Sequence, residues 1–313
     1  MSIILPKHVD TAIRGNRADA TYTLYKSMLT KLFREKFNTD KYSVALLKDT
    51  KNVIDYLASQ NVWTQKLISL ALVIALRADK VDKCIIDEYG KRAREARIID
   101  TTERIGRAAT QKEAELFINW CDIIKLREEF KNELDNKSDT LTDNKYTRLF
   151  MKYVILCLFT MIPPQRGQIF YNCSFGDAST NNGRNVIDLK RKLLVIREHK
   201  TQRSYGERTL ALPTKLITVL KDWYDHVGKG SILRSANNKP MSSSSFTQFM
   251  NTIFDASVST DMLRKIYVSY MINDENIDDK ERERLAYDMG HSVFQQEFTY
   301  NKGDWKVDLM DYI

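Results

Sequence analysis

The stretch VIDLKRKLLVIREHKTQRSYGERTLAL, residues 186–212, decides the fold. Three runs in it, Val186–Leu189, Leu193–Glu198 and Arg208–Leu212, are rich in leucine and β-branched residues and are separated by charged or Gly-containing turns. Such runs predict a small three-stranded antiparallel sheet. On either side the period changes to that of a helix. Lys145–Met161 reads as a strongly apolar helix stopped by Pro163-Pro164, since proline lacks the N–H and clashes with the preceding turn. Glu113–Leu134 reads as a helix and Asp135–Asp143 as a polar loop; Thr214–His226, Phe246–Asp255, Met262–Ile272 and Glu281–Met289 follow as helices. The run Ser242–Ser245 can cap the helix after it.

The first hundred residues are helical throughout. Tyr25, Met28, Leu29, Leu32 and Phe33 recur at helical spacing, Asp49 or Thr50 can cap a helix through Val53, Ile54 and Leu57, and Val62–Arg77 and Val81–Arg97 complete a bundle. The polar stretch Thr101–Thr110 reads as a linker. Two domains are expected, 1–103 and 108–313, with an α+β fold: mainly α, plus one small antiparallel β-sheet.

Composition narrows the partners. The net charge is +8, and residues 1–110 hold 20 Lys and Arg against 13 Asp and Glu, so nearly all of the excess lies at the amino end. A basic domain fits a polyanion, although a solvated basic surface has the same composition. Lys91, Arg92, Arg94 and Arg97 lie on the fourth helix, with Arg104 and Arg107 following in the linker. A charge run on a helix is ordinarily a solvated face, but here it also suits contact with a sugar-phosphate backbone. The longest apolar runs, Leu67–Leu76 and Tyr153–Ile162, are about half of what a bilayer-spanning helix needs. No membrane anchor or secretory signal is visible, so the expectation is an intracellular protein, in nucleus or cytoplasm. Cys84, Cys121, Cys157 and Cys173 form no C-x-x-C pair, His8, His199, His226 and His291 form no H-x-x-x-H, and no phosphate loop is present. The chemistry is therefore expected to need no metal, cofactor or ATP.

Toward the carboxyl end stands Met289-Gly290-His291-Ser292, with Tyr300 nine residues after the histidine. Upstream lie Leu263-Arg264-Lys265 at the start of a helix, Lys200 where the second strand turns toward the third, and Arg166 just after the double proline. Each is unremarkable alone. In this order and context they resemble the active-site pattern of the tyrosine recombinases, or phage integrases: an Arg after an apolar helix, a hairpin Lys, an Arg in H-x-x-R, then G-H-S and the nucleophile. Pro163-Pro164-Gln165-Arg166, Ser242–Phe246 and Leu263-Arg264-Lys265 look most similar to recombinases of large DNA viruses and mobile elements.

The resemblance covers most of the chain. It implies a helical core-binding (SAM-like) domain and a catalytic domain that together form a C-shaped clamp on duplex DNA, cleaving and rejoining it for site-specific recombination or integration. By the same resemblance Arg166 and Arg264 hold the nonbridging oxygens of the reacting phosphate, a role that suits paired, charge-assisted guanidinium hydrogen bonds. Tyr300 would attack to give a 3′-phosphotyrosine intermediate, Lys200 would protonate the departing 5′ oxygen, and His291 would hydrogen-bond the phosphate or assist proton movement. The apolar residues of Asn301–Ile313, including Trp305, Val307 and Leu309, either pack on their own domain or dock on a neighbouring protomer in a tetramer on DNA.

One position departs from the pattern: Asp261 stands where the family has His or Lys. Either it is the N-cap of the helix bearing Arg264, or it orients Arg264 or another cation through a salt bridge. His199 competes with Lys200 for proton transfer, and strand alternation lets only one of them face the site. A type IB topoisomerase, a DNA-binding protein that has lost catalysis, and an accidental match in a basic globular protein are the alternative readings.

Overall fold

The computed structural model describes residues 2–104, 114–137, 142–180, 183–235, 237–254, 256–272 and 277–300. Arg107, the rest of the expected linker and the tail 301–313 lie outside the described residues. The chain divides into two compact units, Met1–Ile105 and Gly106–Ile313.

The first unit is built of helices α1 (Lys7–Arg14), α2 (Asp19–Phe37), α3 (Val44–Lys48), α4 (Thr50–Ala58), α5 (Val62–Ala78) and α6 (Lys83–Arg104). Local chemistry sets several of the boundaries. Asp49 accepts from the Asn52 amide and Asn61 from the Thr64 amide, so each caps the helix that follows it. Helix α5 is buried along most of its length, and Ile68, Leu72 and Leu76 meet Leu29, Phe33 and Leu57 in one core. On α6, Ile86, Tyr89, Ala93 and Ala96 are buried, and the Tyr89 hydroxyl donates to the Leu47 carbonyl at 2.7 Å. Helix α6 runs through Arg104, so the first four residues of the expected linker are helical instead. The short helices α1 and α3 were not legible from periodicity.

The second unit packs helices α7 (Trp120–Lys137), α8 (Asp143–Thr160), α9 (Gly167–Tyr171), α10 (Gln202–Tyr205), α11 (Thr214–Val227), α12 (Ser243–Phe254), α13 (Thr260–Ile272) and α14 (Asp279–Met289) around a sheet. Helix α8 is the core element, buried continuously from Tyr153 to Phe159. The helix expected over Glu113–Leu134 begins instead at Trp120 and extends to Lys137, and Asn119 accepts the Cys121 amide at its start. Ser242 caps α12 through the Ser245 amide, which is the job expected of the serine run.

The sheet differs from the three antiparallel strands expected. It has four, β1 (Cys173–Phe175), β2 (Asn185–Asp188), β3 (Leu193–Ile196) and β4 (Arg208–Ala211), and it is mixed because β1 pairs with β2 in parallel. The other pairs are antiparallel, with Val186 opposite Val195 and Leu194 opposite Leu210. Strand β1 spans only three residues, too few for an alternation to show.

Candidate active site

The site is assembled at the amino-terminal end of α13. Arg264, one turn into that helix, is fully buried and reaches four partners. Its Nη1 donates to the carbonyls of Pro164 and Met289, both at 3.0 Å, and its Nη2 donates to His291 Nδ1 at 2.9 Å and to the Tyr300 hydroxyl at 3.3 Å. The guanidinium also lies 4.9 Å from the centroid of the Tyr300 ring, and the His291 and Tyr300 rings stack at 4.7 Å. One side chain thus ties together the end of α8, the turn after α14 and the segment carrying the phenol. Burial pulls the Arg264 pKa down, opposed by Tyr300 and reinforced by the charge of Arg166.

Helix α14 ends at Gly290, whose left-handed conformation (φ 69°) turns the chain so that His291 points inward. An arginine only donates, so His291 Nδ1 accepts from Arg264 and the neutral ring carries its proton on Nε2. Burial, then Arg264, Arg166 and Arg208, lowers its pKa from 6.5 to about 3. His291 Nε2 and the Nε atoms of Arg264 and Arg208 are buried and have no hydrogen-bond partner among the described residues. Buried donors without acceptors are rare, and here they share one neighbourhood with positive charge.

Tyr300 is itself buried, against Val268, Leu285 and Met289, at the end of a single π-helical turn, Gln296–Tyr300. Ser292 caps the short helix leading into that turn by accepting the Gln295 amide. Asp261 is not the N-cap of α13. That role belongs to Ser259, whose hydroxyl accepts the Met262 amide at 3.1 Å: the helix starts at Thr260, two residues earlier than a cap at Asp261 would require. Asp261 lies in the first turn, exposed, with Oδ1 3.4 Å from the Tyr300 hydroxyl.

Arg166 sits at the entrance to α9, partly exposed, and its charge is felt at His291, Arg264, Arg208 and His199. The hairpin behaves differently. Asn185 is buried and its amide ties Ile169 and Glu198 carbonyls to the Arg197 and Glu198 amides, fixing the end of β3. Beyond it the alternation resolves with His199 inward and Lys200 outward. His199 Nε2 donates to the Gly206 carbonyl at 2.8 Å, and burial together with Arg208 and Arg166 lowers its pKa. Lys200 is exposed, between His199, which feels the charges of Arg208 and Arg166, and Thr201, whose hydroxyl donates to the Gly290 carbonyl at 3.3 Å.

A residue that sequence reasoning missed completes the cluster. Arg208 on β4 is buried, and its Nη1 donates to the carbonyls of Tyr287 (3.1 Å) and Asp288 (2.7 Å), closing the end of α14. Its Nη2 reaches Gln165, a fully buried side chain that also bonds the Pro163 and Asp288 carbonyls. A side-chain carbon on Gly290 would stand 2.9 Å from the Arg208 guanidinium, so that glycine is required by space as well as by φ. Burial, then Arg264, pulls the Arg208 pKa down to about 10, leaving it charged at neutral pH.

Among solved structures, a lambda integrase dimer bound to a COC′ core site matches with a TM-score of 0.56 and 14% identity, over 98% of this chain and 81% of that chain. The fold is that of lambda integrase, a tyrosine recombinase. The resemblance read from the sequence therefore holds at the level of the fold. XerA recombinase aligns over 94% of this chain and 93% of that chain at 14% identity, with a TM-score of 0.39. No family model and no curated protein matches the sequence. On this integrase fold Arg264, His291 and Tyr300 meet directly, and Arg166 and Arg208 stand within electrostatic reach.

The basic residues of α6 separate by environment. Lys91, Arg94 and Arg97 are exposed, whereas Arg92 is half-buried; Lys91 and Arg92 both approach Glu95, at 3.9 and 3.7 Å. Arg104 ends the helix. No helix among the described residues is long and apolar enough to cross a membrane, and no group of His, Cys, Asp and Glu among them could hold a metal ion.

Proposed function

We propose that this chain is a site-specific DNA recombinase or integrase that cleaves and rejoins duplex DNA through a 3′-phosphotyrosine at Tyr300. The observation that carries this reading is the buried contact of Arg264 with both His291 and the Tyr300 hydroxyl, in a cluster whose orphaned buried donors are cationic or N–H groups. Such a cluster suits a pentacoordinate phosphate, whose nonbridging oxygens gain charge that preorganised donors stabilise. Arg264, Arg166 and the Nε2–H of His291 take those oxygens. Oη of Tyr300 forms the new P–O bond as the bond to the 5′ oxygen breaks, and Lys200 gives that oxygen a proton. An exposed lysine on a flexible stem serves this role once DNA fills the space beside it. Reversal with a different 5′ hydroxyl restores an intact strand.

On the same reading Lys91, Arg92, Arg94, Arg97, Arg104 and Arg107 contact the backbone of the double-stranded DNA, and the tail 301–313 docks on a neighbouring protomer to support a tetramer. The test is a pool of nicked duplexes of randomised sequence, with covalent adduct read on a denaturing gel. Wild type forms adduct and Tyr300→Phe forms none. Binding without adduct would mark an inactive DNA-binding module, and relaxation of supercoils without strand exchange would mark a topoisomerase.

A further inference from the structure

The attack of Tyr300 requires its hydroxyl to lose a proton, and the groups around that oxygen can be compared one by one. Arg264 touches it at 3.3 Å but has no acceptor site. His291 stacks on the ring, yet its accepting nitrogen, Nδ1, is already filled by Arg264, and the surrounding guanidiniums oppose any further positive charge on the imidazole. Arg166 and Arg208, which act on the same imidazole, are cations as well. Lys200 is exposed on the turn after β3 and is reserved for the leaving group. Among the described residues, the remaining group is the carboxylate of Asp261, to which the Tyr300 hydroxyl donates at 3.4 Å.

We infer that Asp261 is the proton acceptor for Tyr300, a catalytic residue of the reaction proposed above and dependent on that reading. The residue type that breaks the family pattern then has a chemical reason. A phenol held between a guanidinium donor and a carboxylate acceptor is arranged to lose its proton: Arg264 stabilises the charge that develops on oxygen while Asp261 receives the hydrogen. The distance is long for a hydrogen bond, as pairs that transfer protons commonly are before substrate tightens them. Asp261 is exposed, so the proton can pass on to water, and its carboxylate, whose charge is also felt at Arg264, lies within reach of the phenol. Its helix is capped by Ser259, so α13 does not depend on it for that purpose. The step balances: the Oη–H bond breaks as Oη–P forms, Asp261 keeps the proton, and the electron pair of the broken P–O bond leaves with the 5′ oxygen.

The test uses the full chain and a randomised duplex pool carrying a 5′-bridging phosphorothiolate. A thiolate leaves without needing a proton, so Lys200 drops out of the rate and the phenol's is the proton transfer that remains. Asp261→Asn keeps the size of the side chain and an oxygen that can accept the hydrogen bond, but it does not take the proton. Adduct formation is expected to fall by about 10²–10³-fold, the range of general base catalysis. The variant's rate should then climb with pH, as solvent base takes over the proton, while wild type shows no such climb. Asp261→Ala should regain rate with added formate or acetate, which a merely positioning carboxylate would not permit. If Asp261→Asn forms adduct within about threefold of wild type with the same pH profile, Asp261 is not the acceptor. If wild type itself binds DNA and forms no adduct, the recombinase reading fails, and this inference fails with it.

Discussion

Two sets of basic residues in this chain carry the same charge in opposite surroundings. Arg208 and Arg264 are buried, each held by carbonyls at the end of α14 or beside the double proline, and their pKa values fall through loss of water. Lys91, Arg94 and Arg97 are exposed along α6 and lean on little besides Glu95. Buried guanidiniums have fixed positions and have already given up their hydration, so they can discriminate geometry at one phosphorus atom. Exposed cations keep their water and their freedom, so their attraction is long-ranged, tolerant of sequence and sensitive to salt. On the proposed function, the charges that select a reaction and those that gather a polyanion are distinguishable by burial.

That contrast breaks first at Arg208. Arg208→Met keeps an unbranched apolar stem while leaving the Tyr287 and Asp288 carbonyls without their donor. Each lost charge-assisted bond to a buried group costs about 1.5–3 kcal/mol. Removing a desolvated charge beside Arg264 returns part of this, because a buried ion without a carboxylate partner carries its own penalty. The lost bonds outnumber the relief, and a net destabilisation of about 2 kcal/mol is expected in urea unfolding. Adduct formation should fall about a hundredfold, since the turn that aims His291 loses its anchor. Unchanged unfolding together with unchanged adduct formation would show that Arg208 is a spectator.

How far the sequence disclosed this arrangement depends on how local each determinant is. The long helices were legible because their apolar faces repeat every 3.6 residues, and α8 ended before Pro163 for a reason written in the chain itself. Strand β1 and helix α3 were too short for a period to register. Arg264, His291 and Tyr300 were named from motif order, but only folding brings residues 36 positions apart into one hydrogen bond. Arg208 was missed because an arginine at the start of a strand reads as a solvated charge. The signal was present: Arg208 and Leu210 share the buried face of β4, while Thr209 and Ala211 face outward. The same alternation said that His199 and Lys200 must part, without saying which turns inward; the Gly206 carbonyl decided that. A cap was one of the two roles open to Asp261 from sequence; Ser259 is an equally good capping residue, and the helix start selects between them only in three dimensions.

His291 sharpens the contrast through pH. Its pKa is depressed to about 3 in the folded chain against an ordinary 6.5. Below pH 6.5 the unfolded chain binds a proton that the folded chain refuses, so stability is full above that value and declines as pH falls toward 3. The loss is about 1.4 kcal/mol per pH unit within that window. His199, also depressed, titrates in the same direction, so the measurement is the difference between wild type and His291→Gln in urea unfolding from pH 7 to pH 5. The variant should show a shallower fall. Added sulfate should narrow the gap, because an anion beside the guanidiniums favours the charged imidazole. Parallel curves would mean that burial and the neighbouring arginines do not hold His291 neutral.

The smallest effect belongs to the exposed set. Lys91→Ala, Arg94→Ala and Arg97→Ala together should weaken DNA binding by about tenfold at physiological salt and leave the unfolding midpoint nearly unchanged, since surface ion pairs such as Lys91–Glu95 add little. What decides the matter is the slope of log affinity against log salt. Each cation that meets a phosphate releases condensed counterions worth about 0.9 in that slope, so the triple variant should lose between two and three units if all three meet the backbone. The loss should be the same for every duplex sequence, because phosphate contacts carry no base information. Arg264→Ala, by contrast, should change the slope by no more than about one unit while removing adduct altogether. A triple variant with an unaltered slope would return α6 to a solvated face, and the amino-terminal excess of charge would need another site of contact.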